Sequence, residues 1–564
     1  MAVEKLIVGH IDTWTTALQT RSTAGRGSSG KIDLYGIKKL RELILELAVR
    51  GKLVPQDPND EPASELLKRI AAEKAELLKQ GKIKKPKPLP EISEEEKPFE
   101  LPEGWEWVRF GSIYEMEYGN NLPQEKRSNS GEYNVYGSNG IVGTHNEACI
   151  KSPCIVIGRK GSAGALNLSD QAACWVTDVA YSTIPPSAMN LEFVFVQFHT
   201  LGLDTLGKGI KPGLNRNDAY NLTIAIPPQS EQKAIVSKVN ELMSLCDQLE
   251  QHSLTSLDAH QQLVETLLTT LTDSQNADQL AENWSRISEH FDTLFTTEAS
   301  IDALKQTILQ LAVMGKLVPQ DSNDEPASEL LKRIAQEKAQ LVKDGKMKKQ
   351  KPLPPISDEE KPFELPEGWV YCRMDDLCSA ITSGSTPSKE IFSTDDGIPY
   401  LKVYNIRNQQ IDFKYQPQFI QRQYHFEKMQ RSILYPGDVI MNIVGPPLGK
   451  IAIIPDYYPE WNCNQAIVLF RLIKKDLNEY IYTYLLSGIF LDFIELIGTA
   501  GQDNISIAKS KNIVIPLPPI YEQKKIVEKL SEIMNVISEL KHKINITKQT
   551  QLHLADALTD AAIN

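Results

Sequence analysis

Near the end of the chain, apolar residues recur in alternating steps of four and three. Ten positions follow this spacing, and eight of them are apolar: Ile526, Leu530, Ile533, Ile537, Leu540, Ile544, Thr547, Gln551, Leu554 and Leu558. Such spacing lines one seam of a long helix that packs on another helix. A looser seam starts at Ile235 and weakens at Ser253 and His260. We predict two spacer helices of about 40 residues, roughly 60 Å long, that pack on each other.

A shorter helical pattern occurs twice, at Ile37, Leu40, Ile44 and Leu47 and again at Ile301, Leu304, Ile308 and Leu311. It leads into a copied stretch: residues 47–105 return as residues 311–369, and 49 of the 59 positions are identical. The chain is therefore a tandem duplication. Each copy predicts a helix that begins near Pro62 and stops near Gly81, or at the equivalent positions. The following segment, residues 82–93, is interpreted as a solvated proline-rich linker, with phosphate contact by its lysines as the alternative.

The segments that follow the two copies have diverged. Each has a strand, glycine turn and strand pattern, then a helical run, a glycine-rich loop and a last strand before Pro-Pro. The second segment is 27 residues longer than the first. We predict an α+β protein with two mixed α/β domains, residues 106–226 (domain 1) and residues 370–517 (domain 2). The frame around them comprises residues 1–105, 227–369 and 518–564. A constant frame with two divergent domains indicates that equivalent surfaces recognise two different things.

The formal charge of −12 does not exclude nucleic acid as a partner, because most of it lies in the frame. Domain 1 carries a net −2 and domain 2 a net −1, so basic residues on one face can still form a positive patch. The seven cysteines contain no CxxC pair and are interpreted as reduced structural residues. No apolar run reaches 18 residues and no secretory segment opens the chain, so we expect a cytosolic protein.

Polar residues in the predicted loops suit contacts with DNA, although solvation at the surface is an equally good account of any one of them. Arginine and lysine bind phosphate and guanine, and asparagine binds adenine. In domain 1 the candidates are Asn139, Arg159, Lys160, Lys208, Lys211, Asn215 and Arg216. In domain 2 they are Ser383, Thr386, Lys389, Tyr404, Asn405, Arg407, Asn442, Gln502 and Asn504. Phosphate-binding, zinc-protease, nucleophile-elbow and amino-methyltransferase motifs are absent, so the sequence indicates a binding protein, with no catalytic residue or metal ligand.

Several motifs resemble the specificity subunit (HsdS) of type I restriction-modification systems. They are LPEGW before each domain, IPPQSEQKAIVSKV and LPPIYEQKKIVEKL after them, YGSNGIVG and IVIGRKGSAG in domain 1, and SGSTPS and YPGDVIM in domain 2. The resemblance implies target recognition domains held apart by an antiparallel coiled coil. It implies a bipartite, asymmetric site in double-stranded DNA, with one half-site read by each domain.

The resemblance also implies protein partners. Two methyltransferase (HsdM) subunits would bind this chain and, through them, restriction (HsdR) subunits. S-adenosylmethionine, ATP and Mg would belong to those partners, with no cofactor in this chain. Two alternatives remain: a self-sufficient DNA-modifying enzyme with an unrecognised site, and a protein scaffold with no DNA role.

Overall fold

The structure is a computed structural model that describes residues 3–21, 31–81, 83, 88–207, 213–393, 396–445, 447–494 and 504–563. It divides into two compact units. Unit 1 comprises Met1–Arg21, Ile32–Thr255 and Lys548–Asn564, and unit 2 comprises Ser22–Lys31 and Ser256–Thr547. Residues 22–30 and part of the predicted proline-rich linker lie outside the described residues.

Two helices of 44 residues, Gln229–Thr272 (the first spacer helix) and Ile520–Ile563 (the second spacer helix), contribute to both units. The other unit 1 helices are Val3–Gly9, Ile11–Thr16, Tyr35–Val49, Ala63–Lys79, Phe110–Ile113, Leu191–His199 and Arg216–Tyr220. The other unit 2 helices are Ala277–Glu289, Phe291–Leu294, Glu298–Val313, Ala327–Lys343, Met374–Leu377, Arg422–Lys428, Asn478–Leu486 and Ile507–Asn512. Short 3₁₀ helices are Glu94–Glu96, Gln124–Lys126, Asp358–Glu360, Lys389–Ile391, Val403–Asn405, Gln430–Ser432, Lys475–Leu477 and Ile489–Phe493.

Domain 1 is built on three sheets. The largest is antiparallel, with strand order Glu117–Tyr118, Ala180–Thr183, Cys154–Gly158 and Leu166–Ser169. The second has the order Gly140–His145, Tyr133–Gly137 and Trp175–Val176, and its last pair is parallel. The third pairs Glu106–Arg109 with Thr223–Ile226, so the first and last strands of the domain lie side by side. A further short pair near the N-terminus is Gln19–Arg21 with Lys31–Asp33.

Domain 2 repeats this plan with different lengths. Its main antiparallel sheet has the order Cys378–Ser383, Ile467–Leu472, Val439–Asn442 and Ile451–Ile453. A second sheet has the order Phe392–Ser393, Phe419–Ile420, Ile398–Leu401 and Asn462–Cys463, and again its last pair is parallel. Val370–Arg373 pairs with Val514–Leu517 to close the domain, and Ile406–Arg407 forms a hairpin with Gln410–Ile411. The shared sheet order gives each main-sheet strand of domain 1 an equivalent strand in domain 2.

The copied frame makes the same buried contact beside each domain. In unit 1, the Trp105 indole Nε1 donates a hydrogen bond of 2.8 Å to Oε2 of Glu231, and Gln56 Nε2 donates to Oε1 at 3.1 Å. In unit 2, Trp369 and Gln320 donate to Glu522 in the same way, at 2.9 Å each. Each carboxylate lies in the first turn of a spacer helix, so the contact fixes the start of the domain against that helix.

The proline-rich linker is held at its end, which the sequence did not predict. Arg109 is buried and its guanidinium donates to the backbone carbonyl groups of Pro90, Glu91 and Asn221. The same guanidinium pairs with Glu96 at 2.8 Å.

Arg373 does the same in the second copy. It donates to the carbonyl groups of Pro354, Pro355 and Asn512 and pairs with Glu360 at 2.8 Å. Each arginine therefore ties the last part of its linker to the closing strand pair of the domain.

The spacer helices follow the predicted seam in part. Ile526, Leu530 and Ile537 are buried in unit 2, in one cluster with Val264 and Leu268 of the first spacer helix. Near the C-terminus the prediction is wrong by one or two positions. Leu554 is 45% exposed, whereas Leu552, Ala555 and Thr559 are buried in unit 1. An α-helix has 3.6 residues per turn, so a strict seven-residue spacing drifts by about 20° per heptad and the buried stripe moves to neighbouring residues.

The fold class predicted from sequence is the one observed: α+β, duplicated, with two mixed α/β domains and long spacer helices. Unit 1 contains the N-terminal part of the first spacer helix and the C-terminal part of the second, and unit 2 contains the remaining part of each. This division is the one expected for an antiparallel pair of helices. Among the described residues, no helix is both long enough and apolar enough to cross a membrane. All seven cysteines are free thiols, and six are buried.

Candidate nucleic-acid interface

Three loop segments of domain 1 meet at one end of its main sheet. The hairpin turn at Ser138 and Asn139 contacts the turn that follows Cys154–Gly158, because a Cβ at Gly158 would lie 2.4 Å from the Ser138 carbonyl oxygen. The segment before Arg216–Tyr220 joins them through an isolated bridge between Lys160 and Gly213. We call this group the domain 1 corner. It brings together five predicted residues: Asn139, Arg159, Lys160, Asn215 and Arg216.

Two guanidinium groups of the domain 1 corner lie over one aromatic ring. Cζ of Arg159 is 5.0 Å from the centroid of the Tyr118 ring, and Cζ of Arg216 is 4.9 Å from it. Arg159 is also 5.9 Å from the ring of Tyr181, which neighbours Tyr118 on the adjacent strand. Tyr118 is 52% exposed. The sequence interpretation missed Tyr118; the only signal was a large aromatic residue directly before Gly119.

The backbone holds both arginines in place. The backbone NH of Arg159 donates to the carbonyl of Val179 at 2.9 Å, and its carbonyl accepts from the NH of Leu214 at 2.9 Å. Nη1 of Arg216 donates to the Met116 carbonyl at 3.0 Å. The main chain of Arg159 and the side chain of Arg216 are therefore anchored at the edge of the sheet.

The domain 1 corner is cationic. Within the described part of the chain, Arg159, Lys160 and Arg216 form no ion pair with a carboxylate. Nε of Arg159 is buried without a hydrogen-bond partner. Burial raises the pKa of Tyr181 to about 12, opposed by the nearby Arg159 charge, so this phenol stays neutral. Such a corner favours an anionic or hydrogen-bond-accepting ligand.

The remaining predicted residues of domain 1 differ in exposure and role. Asn139 is exposed at its turn, and Lys160 is exposed beside it. Asn215 is exposed and caps the helix Arg216–Tyr220 through its side-chain oxygen, which accepts from the NH of Asn217 at 3.0 Å. Lys208 and Lys211 lie outside the described residues.

The same backbone contacts define a domain 2 corner with other side chains. The NH of Ile443 donates to the carbonyl of Ala466, and its own carbonyl accepts from the NH of Ile505. Val444 bridges Asn504 as Lys160 bridges Gly213. Ile443, Val444 and Ile507 therefore stand where domain 1 has Arg159, Lys160 and Arg216.

The predicted residue Ser383 belongs to the same corner. It pairs with Val468 on the neighbouring strand, as Tyr118 pairs with Tyr181, so Ser383 occupies the position of Tyr118. Among the described residues of domain 2, no guanidinium lies over a ring at this place. Ser506 caps the following helix as Asn215 does, by accepting from the NH of Lys509.

A second group of predicted residues in domain 2 gathers at the hairpin of Ile406–Arg407 and Gln410–Ile411. Cζ of Arg407 lies 4.1 Å from the centroid of the Tyr415 ring, and its Nε is 3.4 Å from the carboxylate of Asp412. Tyr404 packs edge-on against Tyr415 at 6.1 Å, with the Lys402 ammonium 5.8 Å from the Tyr404 ring. Tyr415 and Lys402 were not predicted as site residues.

Two predicted asparagines have their amide groups occupied inside domain 2. Asn405 is buried; its oxygen accepts from the NH of Lys402 and its nitrogen donates to the Tyr415 carbonyl. Asn442 is also buried, and its amide bonds to the backbone of Pro447 and Lys450. The structure favours a role in fixing loops for both residues over the base contact that the sequence suggested, because no amide group is left at the surface.

The other candidates of domain 2 are two exposed residues and Asn504 of the domain 2 corner. Thr386 is exposed in the loop after Cys378–Ser383, and Lys389 is exposed at the start of the 3₁₀ helix Lys389–Ile391. Asn504 is half-buried and its side-chain oxygen is buried without a hydrogen-bond partner. Gln502 lies outside the described residues. The described residues contain no cluster of three or more His, Cys, Asp and Glu side chains that is suited to a metal ion.

Comparison with known proteins gives consistent matches along the chain. The family model described as "Type I restriction modification DNA specificity domain" matches residues 102–259 and 366–547. The specificity subunit of the type I restriction enzyme EcoAI from Escherichia coli is 50% identical over 600 aligned positions, covering 100% of both chains. That of EcoEI, also from Escherichia coli, is 47% identical with the same coverage. A solved chain from work on complex assembly of the type I R-M system shares 18% identity, covers 83% of this chain and 99% of its own length, and has a TM-score of 0.44.

Proposed function

The chain belongs to the DNA specificity family of type I restriction-modification systems, and we propose that it selects a bipartite, asymmetric site in double-stranded DNA through its two domains. Domain 1 reads one half-site, domain 2 reads the other, and the bases between them are not read. The chain contributes no catalysis. It docks two methyltransferase subunits and, through them, restriction subunits.

The observation that carries this proposal is the relation between the two corners. The sheet order and the backbone contacts at the corners are the same in both domains, whereas Arg159, Lys160 and Arg216 are replaced by Ile443, Val444 and Ile507. Equivalent surfaces with different chemistry suit two different base sequences. An asymmetric target follows even though the frame is duplicated.

The length of the spacer helices fits a gapped target. A helix of 44 residues is about 66 Å long at 1.5 Å per residue. One turn of DNA is about 34–36 Å, so domains held by such helices suit half-sites separated by one to two turns. S-adenosylmethionine, ATP and Mg would be bound by the partner subunits.

Exchange of one domain tests the proposal. Residues 106–226 are replaced by the equivalent domain of a relative, the chain is expressed with its cognate methyltransferase, and methylated adenines are mapped across the genome. We expect one half-site to change while the other half-site and the gap are retained. If neither half-site changes, or if no methylated motif depends on the chain, the proposal is wrong.

A further inference from the structure

The domain 1 corner has features that distinguish reading of a base from neutralisation of a phosphate. A phosphate contact needs charge and reach, which the exposed Lys160 supplies. Recognition of a guanine by its N7 and O6 atoms needs a planar guanidinium fork in a fixed orientation. Both guanidinium groups lie over the Tyr118 ring. The main chain of Arg159 is anchored by backbone hydrogen bonds, and the Arg216 guanidinium itself donates to the Met116 carbonyl.

The Tyr118 ring is the element shared by the two arginines. Two cations at one corner repel each other, and no described carboxylate pairs with either of them. An aromatic face attracts a guanidinium within about 6 Å of its centroid, which offsets part of that repulsion. Because the ring lies on the short edge strand Glu117–Tyr118 and is half exposed, it holds both guanidinium groups at the rim of the sheet.

Building on the proposed function, we propose that Tyr118 is a positioning residue that aims the Arg159 guanidinium, which shares the ring with Arg216, at one guanine in the half-site read by domain 1. The assignment is specific to domain 1. At the equivalent positions, domain 2 has Ser383, Ile443 and Ile507, which offer neither a ring nor a fork. Removal of N7 from a guanine should therefore weaken recognition of the half-site read by domain 1. It should leave recognition by the domain 2 corner unchanged.

The test uses the full chain assembled with its cognate methyltransferase subunits and short duplexes that carry the mapped target. Each guanine of the domain 1 half-site is replaced in turn by 7-deazaguanine, which lacks the N7 acceptor. The measured quantity is the ratio of kcat/KM for adenine methylation on unmodified and modified DNA. A uniform loss of activity cancels from this ratio, so it reports only the use of N7.

For the wild-type complex we expect one guanine at which the modification lowers kcat/KM by about 10-fold, in keeping with a good bidentate base contact. Arg159→Lys and Tyr118→Ser should bring that ratio close to one, because the first removes the planar fork and the second removes the ring. Tyr118→Phe keeps the ring and should keep the 10-fold ratio. Lys160→Gln should lower kcat/KM equally on both duplexes.

The outcomes separate this inference from the function on which it rests. If methylation depends on both half-sites but the 7-deazaguanine ratios are the same in wild type, Arg159→Lys and Tyr118→Ser, the proposed function stands and the role of Tyr118 is refuted. A Tyr118→Phe variant that behaves like Tyr118→Ser also refutes it. Methylation that depends on neither half-site refutes the proposed function itself. Methylation that still depends on the domain 2 half-site shows, for each variant, that the chain has folded.

Discussion

The contacts between frame and domain are the same in both halves of the chain, whereas the two domain corners differ in the side chains at the positions of Tyr118, Arg159, Lys160 and Arg216. Trp105 bonds to Glu231 at 2.8 Å, and Trp369 bonds to Glu522 at 2.9 Å. At the corners, an aromatic ring under two guanidinium groups in domain 1 is replaced in domain 2 by a serine beside aliphatic side chains. Under the proposed function, geometry and recognition are supplied by separate residues, so substitutions in the frame and at the corners should have separable effects.

The largest effect is expected in the second spacer helix, where two leucines close in sequence have opposite environments. Leu552→Ala removes a side chain that is 9% exposed, which should lower the free energy of unfolding by about 2–4 kcal/mol. Leu554→Ala removes one that is 45% exposed and should change it by less than about 0.5 kcal/mol. Urea unfolding followed by circular dichroism measures both. Equal losses would contradict the shift of the buried stripe away from Leu554.

The buried arginines should come next, with matching effects in the two copies. Arg109→Met or Arg373→Met leaves the hydrogen-bonded carbonyl groups of the linker unpaired, at a cost of about 1.5–3 kcal/mol in each case. A clear difference between the free energies lost in the two variants would show that the two copies of this contact do not contribute equally to stability.

The same arginines set an acid limit on stability. The Arg109 guanidinium lowers the pKa of Glu96 from 4.5 to about 2, and Arg373 does the same to Glu360. A carboxyl group with a lowered pKa stabilises the fold above pH 4.5, and that contribution disappears as the pH falls toward about 2. Arg109→Met should therefore lose less stability than wild type between pH 4.5 and pH 2. Unfolding curves at several pH values check this.

The buried frame carboxylates should respond in the opposite direction. Burial raises the pKa of Glu231 above 4.5, against the hydrogen bonds from Gln56 and Trp105, which lower it. A carboxyl group with a raised pKa favours the folded chain at low pH, and this contribution falls as the pH rises through its folded-state pKa. Trp105→Phe removes one of the opposing hydrogen bonds and raises the pKa further.

The cost of Trp105→Phe should therefore be about 1–3 kcal/mol at pH 7 and smaller near pH 4, which lies below the raised pKa of the Glu231 carboxyl group. Trp369→Phe is the matched variant, because burial raises the pKa of Glu522 for the same reason. Thermal unfolding at the two pH values measures both. A cost that grows on acidification would mean that the hydrogen bond does not hold a charged carboxylate.

Sequence patterns predicted most of the frame because its signals are local. The copied helix does start after Pro62 and end at Lys79, and Gly81 adopts the left-handed conformation with φ of 68°. The Arg109 contact with the linker joins residues that no periodic pattern connects. The sequence offered loop residues as candidates by chemical type alone, which included Asn405 and Asn442 although their amides serve the loops themselves. It omitted Tyr118, since only strand pairing brings that ring to Arg159 and Arg216.

The smallest effect on stability is expected at the corners, where the effect on recognition should be largest. Arg216→Ile gives domain 1 the residue that domain 2 has at Ile507, and it removes one hydrogen bond at a partly exposed position. The free energy of unfolding should change by about 1 kcal/mol or less, while the methylated motif should lose base preference in one half-site only. The reciprocal Ile507→Arg should alter only the other half-site. Genome-wide mapping of methylated adenines shows which half-site each substitution alters. If either substitution altered both half-sites or unfolded the chain, the same residues would support both the fold and the recognition of bases. The proposed separation of roles between corner and frame would then be wrong.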